Sequence, residues 1–147
     1  MDFFTSEFGY TALFLASFLA STVLPFGSEW VLVAMVAGSF SPLPCVAVAT
    51  AGNTLGAITT YAIGFFGSAF LLTRVLRIDA ASRQKAERFY NTYGVWSLLL
   101  SWLPVVGDPL CLVGGLAKVR LSLFVPLVLL GKLARYAALA WATVSLA

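Results

Sequence analysis

Two long apolar stretches with almost no charged residues constrain the fold of this chain more than any other feature. Residues 45–73 carry no charged side chain over 29 positions, and residues 121–147 carry only Lys132 and Arg135 over 27. Since about 20 mainly apolar residues cross the hydrocarbon core of a bilayer as a helix, each stretch is expected to form a transmembrane helix. The chain is also only 10% charged, whereas soluble domains average about 25%. The sequence therefore predicts an all-α integral membrane protein.

Four shorter apolar arms accompany the long stretches in two pairs, and a proline interrupts each pair. The arms comprise residues 8–24, 30–40, 93–103 and 109–117. Pro25 and Pro104 separate the arms of each pair, and a proline removes a backbone donor and breaks helical hydrogen bonding. Because a span requires at least about 17 residues, we expect 8–40 and 93–117 to form re-entrant helical hairpins. Two alternatives stay open: the first arm spans the membrane, or 93–117 crosses it once as a kinked helix.

Positive charges predict which ends of these segments face the cytoplasm. Residues 74–92 are rich in Arg and Lys and favour a short amphipathic helix, and Lys118 and Arg120 follow the second hairpin. Since cytoplasmic loops are enriched in these residue types, the second hairpin should return to the cytoplasmic side. The halves 8–73 and 93–147, each a hairpin followed by a transmembrane helix, are then expected to be inverted repeats within one membrane domain, with both termini outside.

A carboxylate follows each of the two prolines by four residues, at Glu29 and at Asp108. Ionisable side chains are costly inside a membrane and usually mark a functional site. If the tips of the two hairpins meet, burial and mutual repulsion would let these acids exchange protons near neutral pH, so we predict them to form the proton and substrate site. The alternative is that each acid only caps the start of a half-helix. The predicted helix breaks are Pro25, Gly27, Pro104 and Gly107.

Lys132 and Arg135 are the cations best placed to meet these acids. They lie in the last apolar stretch, roughly 16–21 Å from its start at about 1.5 Å per residue, and their spacing puts them on one helical face. Two roles stay equally open: neutralising the two acids, or binding an anion such as phosphate, which suits the fork of an arginine side chain. Asn53, Ser28 and Ser101 are the further polar residues predicted for the interior. Asn53 could equally serve only as a hydrogen bond between helices.

Several classes of function are disfavoured by composition. The chain has no histidine, and Cys45 and Cys111 have no metal-ligand spacing, so we expect no metal, no cofactor and no enzymatic activity. The two cysteines are interpreted as small buried apolar residues. The net charge of +3 comes from few basic residues at positions that membrane topology explains, so no nucleic-acid partner is expected.

The same residues form motifs that resemble a known family of membrane proteins. The motifs are Leu24-Pro25-x-Gly27-Ser28-Glu29, Gly52-Asn53-x-x-Gly56, Tyr93-Gly94, Trp102-Leu103-Pro104-Val105-Val106-Gly107-Asp108 and Gly131-Lys132-x-x-Arg135-Tyr136. Together they look like the DedA superfamily of VTT-domain proteins, and most of all its short YqaA-like branch. The resemblance covers nearly the whole chain.

What this resemblance implies is a bacterial inner-membrane protein with two opposed re-entrant hairpins. Better-studied members are implicated in moving phospholipids or carriers such as undecaprenyl phosphate, and depend on the proton-motive force. Glu29 matches the acids that matter in their first hairpin. Their arginines beside the second proline have no counterpart next to Pro104, so Lys132 and Arg135 are the cations that could supply that charge.

Three functions are compatible with these observations. The first is a proton-coupled translocase, or flippase, of an anionic lipid, with membrane lipids as partners. The second is a proton-coupled transporter of a small molecule, ion or drug. The third is a structural membrane protein whose charges form only buried ion pairs. The spacing of Gly52 and Gly56 is also compatible with a homodimer, although a packed monomer uses the same motif.

Overall fold

A computed structural model of the chain describes residues 3–21, 28–66, 80–103 and 107–146, and all the regular structure in these ranges is helical. This confirms the predicted all-α class. The elements are α1 (Phe3–Ala20), α2 (Ser28–Ala37), α3 (Pro42–Phe66), α4 (Ala80–Tyr93), a 3₁₀ helix (Gly94–Trp102), α5 (Gly107–Leu116) and α6 (Leu121–Leu146).

Helices α3 and α6 are long and apolar enough to cross a membrane. With 25 and 26 residues, they extend over roughly 38 Å each. They run antiparallel, because Asn53 meets Lys132 at the middle of both helices while the Tyr61 ring packs 4.6 Å from the Phe124 ring nearer one end. α3 begins three residues before the predicted start at Cys45. The predicted continuation over 67–73 lies outside the described residues.

Helices α1 and α2 form an antiparallel hairpin that packs on α3. The rings of Tyr10 and Phe40 meet edge to face at 5.5 Å, which places the start of α1 beside the end of α2. α1 lies unusually close to α3 because glycines face it. A methyl group on Gly52 or on Gly56 would come within 2.6 Å of an α1 carbonyl oxygen. The small-residue motif of α3 is therefore used inside the monomer.

The second hairpin consists of the 3₁₀ helix and α5. Gly94 has φ +64°, a conformation that glycine adopts without a steric penalty, and it turns the chain out of α4. Leu98 of the 3₁₀ helix lies against Gly114 of α5, and Ser101 lies against Gly107, so the two arms are antiparallel. Nine residues of 3₁₀ helix are longer than the usual three or four and give this arm a tighter winding than α1.

Three helices begin before the apolar arms that were predicted for them. The first arm was expected at 8–24, but α1 begins at Phe3. The hairpin tips were expected to extend to Glu29 and Asp108, but each acid is the second residue of a helix, in the first turn of α2 and of α5. A negative side chain is favourable there because the free backbone N–H groups carry partial positive charge. Of the four predicted helix breaks, Gly107 is the first residue of α5, while Pro25, Gly27 and Pro104 lie outside the described residues. The start of the predicted amphipathic segment 74–92 lies outside them too.

The two halves of the chain follow one plan with an offset of 79 residues. Asn53 and Lys132, which contact each other, are separated by 79 positions. The same offset relates Pro25 to Pro104, Glu29 to Asp108, Gly52 to Gly131, the start of α2 to that of α5 and the start of α3 to that of α6. The contacts between helices show the same correspondence. In the first half α1 packs on α3, and in the second half the 3₁₀ helix packs on α6. Likewise, α2 packs on the long helix of the other half, α6, and α5 packs on α3.

Candidate functional site

Lys132 lies at the centre of the helix bundle with only 2% of its surface exposed. Its Nζ donates to Oδ1 of Asn53 and lies 3.8 Å from Oδ1 of Asp108. Asn53 Nδ2 donates to the carbonyl oxygen of Ser17 at 2.9 Å, and the Ser21 hydroxyl donates to Asp108 at 3.1 Å. A charge in such a place requires both a counter-charge and hydrogen bonds. Lys132 thus connects α6 to α3 and α5, and through them to α1.

One turn further along α6, a second acid meets a second cation. Arg135 Nη2 donates to Oε1 of Glu29, and each of these side chains is 21% exposed. The neighbouring residues Ser28 and Tyr136 share a hydrogen bond of 2.8 Å between their buried hydroxyls. The first turn of α2 is therefore held to α6 by two adjacent polar contacts.

The Glu29–Arg135 pair lies in the wall of an open groove of about 520 Å³. Its lining consists of Glu29, Trp102, Ala134, Arg135, Ala138 and Leu139. The two alanines stand one turn apart on α6, while Glu29 comes from the first hairpin and Trp102 from the second. The groove thus lies where both hairpins approach α6, and its walls are apolar apart from one ion pair. Ligand sites of about 300–1,000 Å³ commonly have this composition.

Comparison with known proteins identifies the family. The sequence profile of the VTT domain matches residues 24–145, which include both short helices that carry the acids and both long helices. The chain belongs to the VTT-domain family of the DedA superfamily.

Relatives with the same extent share much of the sequence. The chain is 42% identical to inner membrane protein YqaA of Escherichia coli over 134 residues, which cover 90% of this chain and 89% of that protein. The YqaA protein of Shigella flexneri matches equally. A protein of Haemophilus influenzae is 36% identical over 150 residues, covering 94% of this chain and 92% of its own. No solved structure matches. The chain is accordingly a bacterial inner-membrane protein.

The two ion pairs of this VTT-domain protein differ in access. The side chain of Lys132 is buried, while the side chain of its partner Asp108 is 33% exposed. Glu29 and Arg135 are both partly exposed, and both line the groove. A molecule in the groove can therefore reach the guanidinium of Arg135, whereas the buried Lys132 is not part of the groove lining.

The remaining residues predicted for the site have different surroundings. Ser28 is bonded to Tyr136 and Asn53 to Lys132, as described above. The buried Ser101 hydroxyl has no hydrogen-bond partner among the described residues, and the same holds for Thr50 and Thr54 on α3. Buried hydroxyls without protein partners commonly bond to internal water.

Tyr136, Ser21 and Trp102 were not among the predicted site residues. Tyr136 directly follows Arg135, and Ser21 lies four residues before Pro25, so both adjoin motifs in the sequence. Trp102 lines the groove, and in the sequence it lies two residues before Pro104. The groove itself leaves no pattern in the sequence, because it arises only where three separate elements meet.

Proposed function

We propose that this VTT-domain protein is a proton-coupled translocase of an anionic lipid or lipid carrier, such as a phospholipid or a polyprenyl phosphate. The observation that carries the proposal is the position of the Glu29–Arg135 pair, partly exposed in the wall of an apolar groove. A charged headgroup and a hydrocarbon chain need this combination of one cation and an apolar surface.

The arrangement in the membrane that we propose is an inverted repeat of two re-entrant hairpins. The 79-residue correspondence, the antiparallel α3 and α6, and the exchange of packing between the halves support it. Lys132 and Arg135 are the twelfth and fifteenth of the 26 residues of α6, so both ion pairs would lie near the bilayer midplane. Transporters built from inverted repeats bind their substrates at this depth, beside the starts of half-helices.

The mechanism that we propose is a competition between Glu29 and the lipid headgroup for Arg135. With Glu29 ionised, the guanidinium is already neutralised by the carboxylate. When Glu29 takes up a proton, the guanidinium is free to bind a phosphate, whose oxygens match its paired donors. Proton uptake and anion binding therefore favour each other, and this linkage is reciprocal. Asp108 would play the corresponding part at Lys132, where Asn53 continues to accept a hydrogen bond after the acid is neutralised.

The test is proton-driven lipid transport in proteoliposomes by Glu29→Gln and Asp108→Asn variants. Both keep the size of the side chain and remove its titration, so we expect transport that no longer responds to a pH gradient. Because Asp108→Asn leaves the buried Lys132 ammonium without its counter-charge, its folding is first checked by thermal unfolding in detergent. The matched control is Glu7→Gln, because Glu7 is exposed on α1 away from the ion pairs. Full gradient-driven transport by either site variant would contradict the proposal.

A proton-coupled transporter of a soluble cation or drug is the second candidate. The observation in its favour is that the buried hydroxyls of Thr50, Thr54 and Ser101 have no hydrogen-bond partner in the part of the chain that the structure describes, which would suit a hydrated interior. Such a protein would move its substrate in vesicles at a rate independent of the lipid headgroup composition. The anionic-lipid proposal expects the opposite dependence.

A further inference from the structure

The groove on α6 has features that neither ion pair explains. Ala134 and Ala138 give it a smooth floor along one helical turn, and Trp102 and Leu139 complete its apolar walls. Arg135 is the cation in its lining. Glu29 also lies in the lining and pairs with Arg135. The groove therefore offers an extended apolar surface beside a cation that an anion can bind when Glu29 is protonated, and not a polar cavity of the kind that an ion requires.

The surface beside the groove faces hydrocarbon in a membrane-embedded α6. Leu130 is 56% exposed, Leu133 is 40% exposed and Trp141 is 74% exposed, all on this helix. Because the groove is open on one side, a molecule can enter it laterally from the lipid phase without passing through water. This route suits a membrane lipid and does not suit a soluble amphiphile.

We propose that this groove, lined by Trp102, Ala134, Ala138 and Leu139, binds one hydrocarbon chain of an anionic membrane lipid whose headgroup reaches Arg135. The proposal rests on the proposed function and adds a separate subsite to it. The small side chains of Ala134 and Ala138 leave room for a hydrocarbon chain, and a larger side chain at either position would fill that space. These two residues therefore determine which lipid chains fit. Selection of the lipid then depends on its chain as well as on its charge.

The experiment measures quenching of Trp102 fluorescence by a brominated lipid chain. The protein carries Trp30→Phe, Trp96→Phe and Trp141→Phe, so that Trp102 is the remaining indole, and is reconstituted in phosphatidylcholine vesicles with increasing brominated-chain phosphatidate. Saturable quenching at low phosphatidate content is expected, with much weaker quenching by brominated phosphatidylcholine. Linear quenching, equal for both lipids, would mean ordinary boundary lipid and would overturn the proposal.

Two matched variants locate the chain. Ala138→Phe should weaken saturable binding by roughly tenfold or more, since it excludes two or three methylene groups from an apolar site. Ala137→Phe adds the same ring to the neighbouring exposed residue outside the groove, and it should leave binding unchanged. Equal binding by the two variants would contradict a chain site at Ala138.

Failure of this subsite and failure of the proposed function give different results. If Ala138→Phe binds and transports normally while Glu29→Gln is inactive, the groove proposal is wrong and the coupling proposal stands. If Ala138→Phe loses binding while Glu29→Gln still transports with full coupling, the groove is a lipid site and the coupling proposal is wrong.

Discussion

The two cations of α6 illustrate how differently one charge can be held within a single helix. Lys132 is sealed and makes its contacts to Asn53 and Asp108, whereas Arg135 is partly exposed and faces Glu29 at the groove. Removing one partner of a buried ion pair leaves an uncompensated charge and typically costs about 3–5 kcal/mol, while a partly exposed pair contributes less. The buried Lys132 ammonium is therefore suited to holding the bundle together, whereas the Glu29–Arg135 pair, whose two members both line the groove, is suited to exchanging partners.

We predict that Lys132 and Asp108 stabilise each other, so that the effects of substituting them on the free energy of unfolding are not additive. Lys132→Met leaves the Asp108 carboxylate, which is 33% exposed, without its cation, and should lower the free energy of unfolding by about 1–3 kcal/mol. Adding Asp108→Asn removes that carboxylate's charge, so the double variant should be more stable than Lys132→Met alone. The measurement is denaturant or thermal unfolding of all four forms in detergent, analysed as a double-mutant cycle. Additive losses would show that the two side chains do not stabilise each other.

Among the elements, the contact between α1 and α3 depends on residues without a side chain. Gly56 lets the backbone of α1 approach until a methyl group would meet the Phe18 carbonyl oxygen at 2.6 Å. Gly114 in α5 has no such constraint, because a methyl group there would lie at an ordinary 3.5 Å from Leu98 and Phe124. Both glycines thus lie within helices, but only Gly56 lies too close to a neighbouring helix to be replaced by a larger residue.

This difference predicts opposite effects for the same substitution. Gly56→Ala forces α1 away from α3 and should destabilise the protein by about 1–3 kcal/mol, as overpacking does elsewhere. Gly114→Ala should be neutral or stabilise by up to about 1 kcal/mol, because alanine favours a helix. Unfolding midpoints of the two variants, measured side by side in detergent, provide the comparison. Equal midpoints would mean that the close approach of α1 is not required.

For the molecule as a whole, the sequence predicted the residues that meet at the candidate site better than it predicted their pairing. The proline–acid spacing identified Glu29 and Asp108, and the i,i+3 spacing identified Lys132 and Arg135. Which acid meets which cation depends on the rotation of α6 and on the crossing of the hairpins, and no local pattern encodes these. The groove and the Ser28–Tyr136 bond depend on the same tertiary geometry and were not predicted.

The 79-residue correspondence predicts that residues 93–117 form a re-entrant hairpin, and not a single kinked crossing of the membrane. If this segment is re-entrant, Lys85 on α4 and Arg120 before α6 lie on the same side of the membrane. If it crosses once, they lie on opposite sides. The packing of Leu98 against Gly114 favours the first arrangement, because the chain folds back along itself.

Single cysteines in a background with Cys45→Ala and Cys111→Ala can decide between them. Lys85→Cys and Arg120→Cys should both react with an impermeant thiol reagent only after the membrane is opened. Ser41→Cys, between α2 and α3, should react in intact spheroplasts and serves as the outside control. All three positions are exposed, so differences in labelling report membrane side and not burial. Labelling of Arg120→Cys from outside would show that 93–117 crosses the membrane, and the inverted repeat would then be wrong.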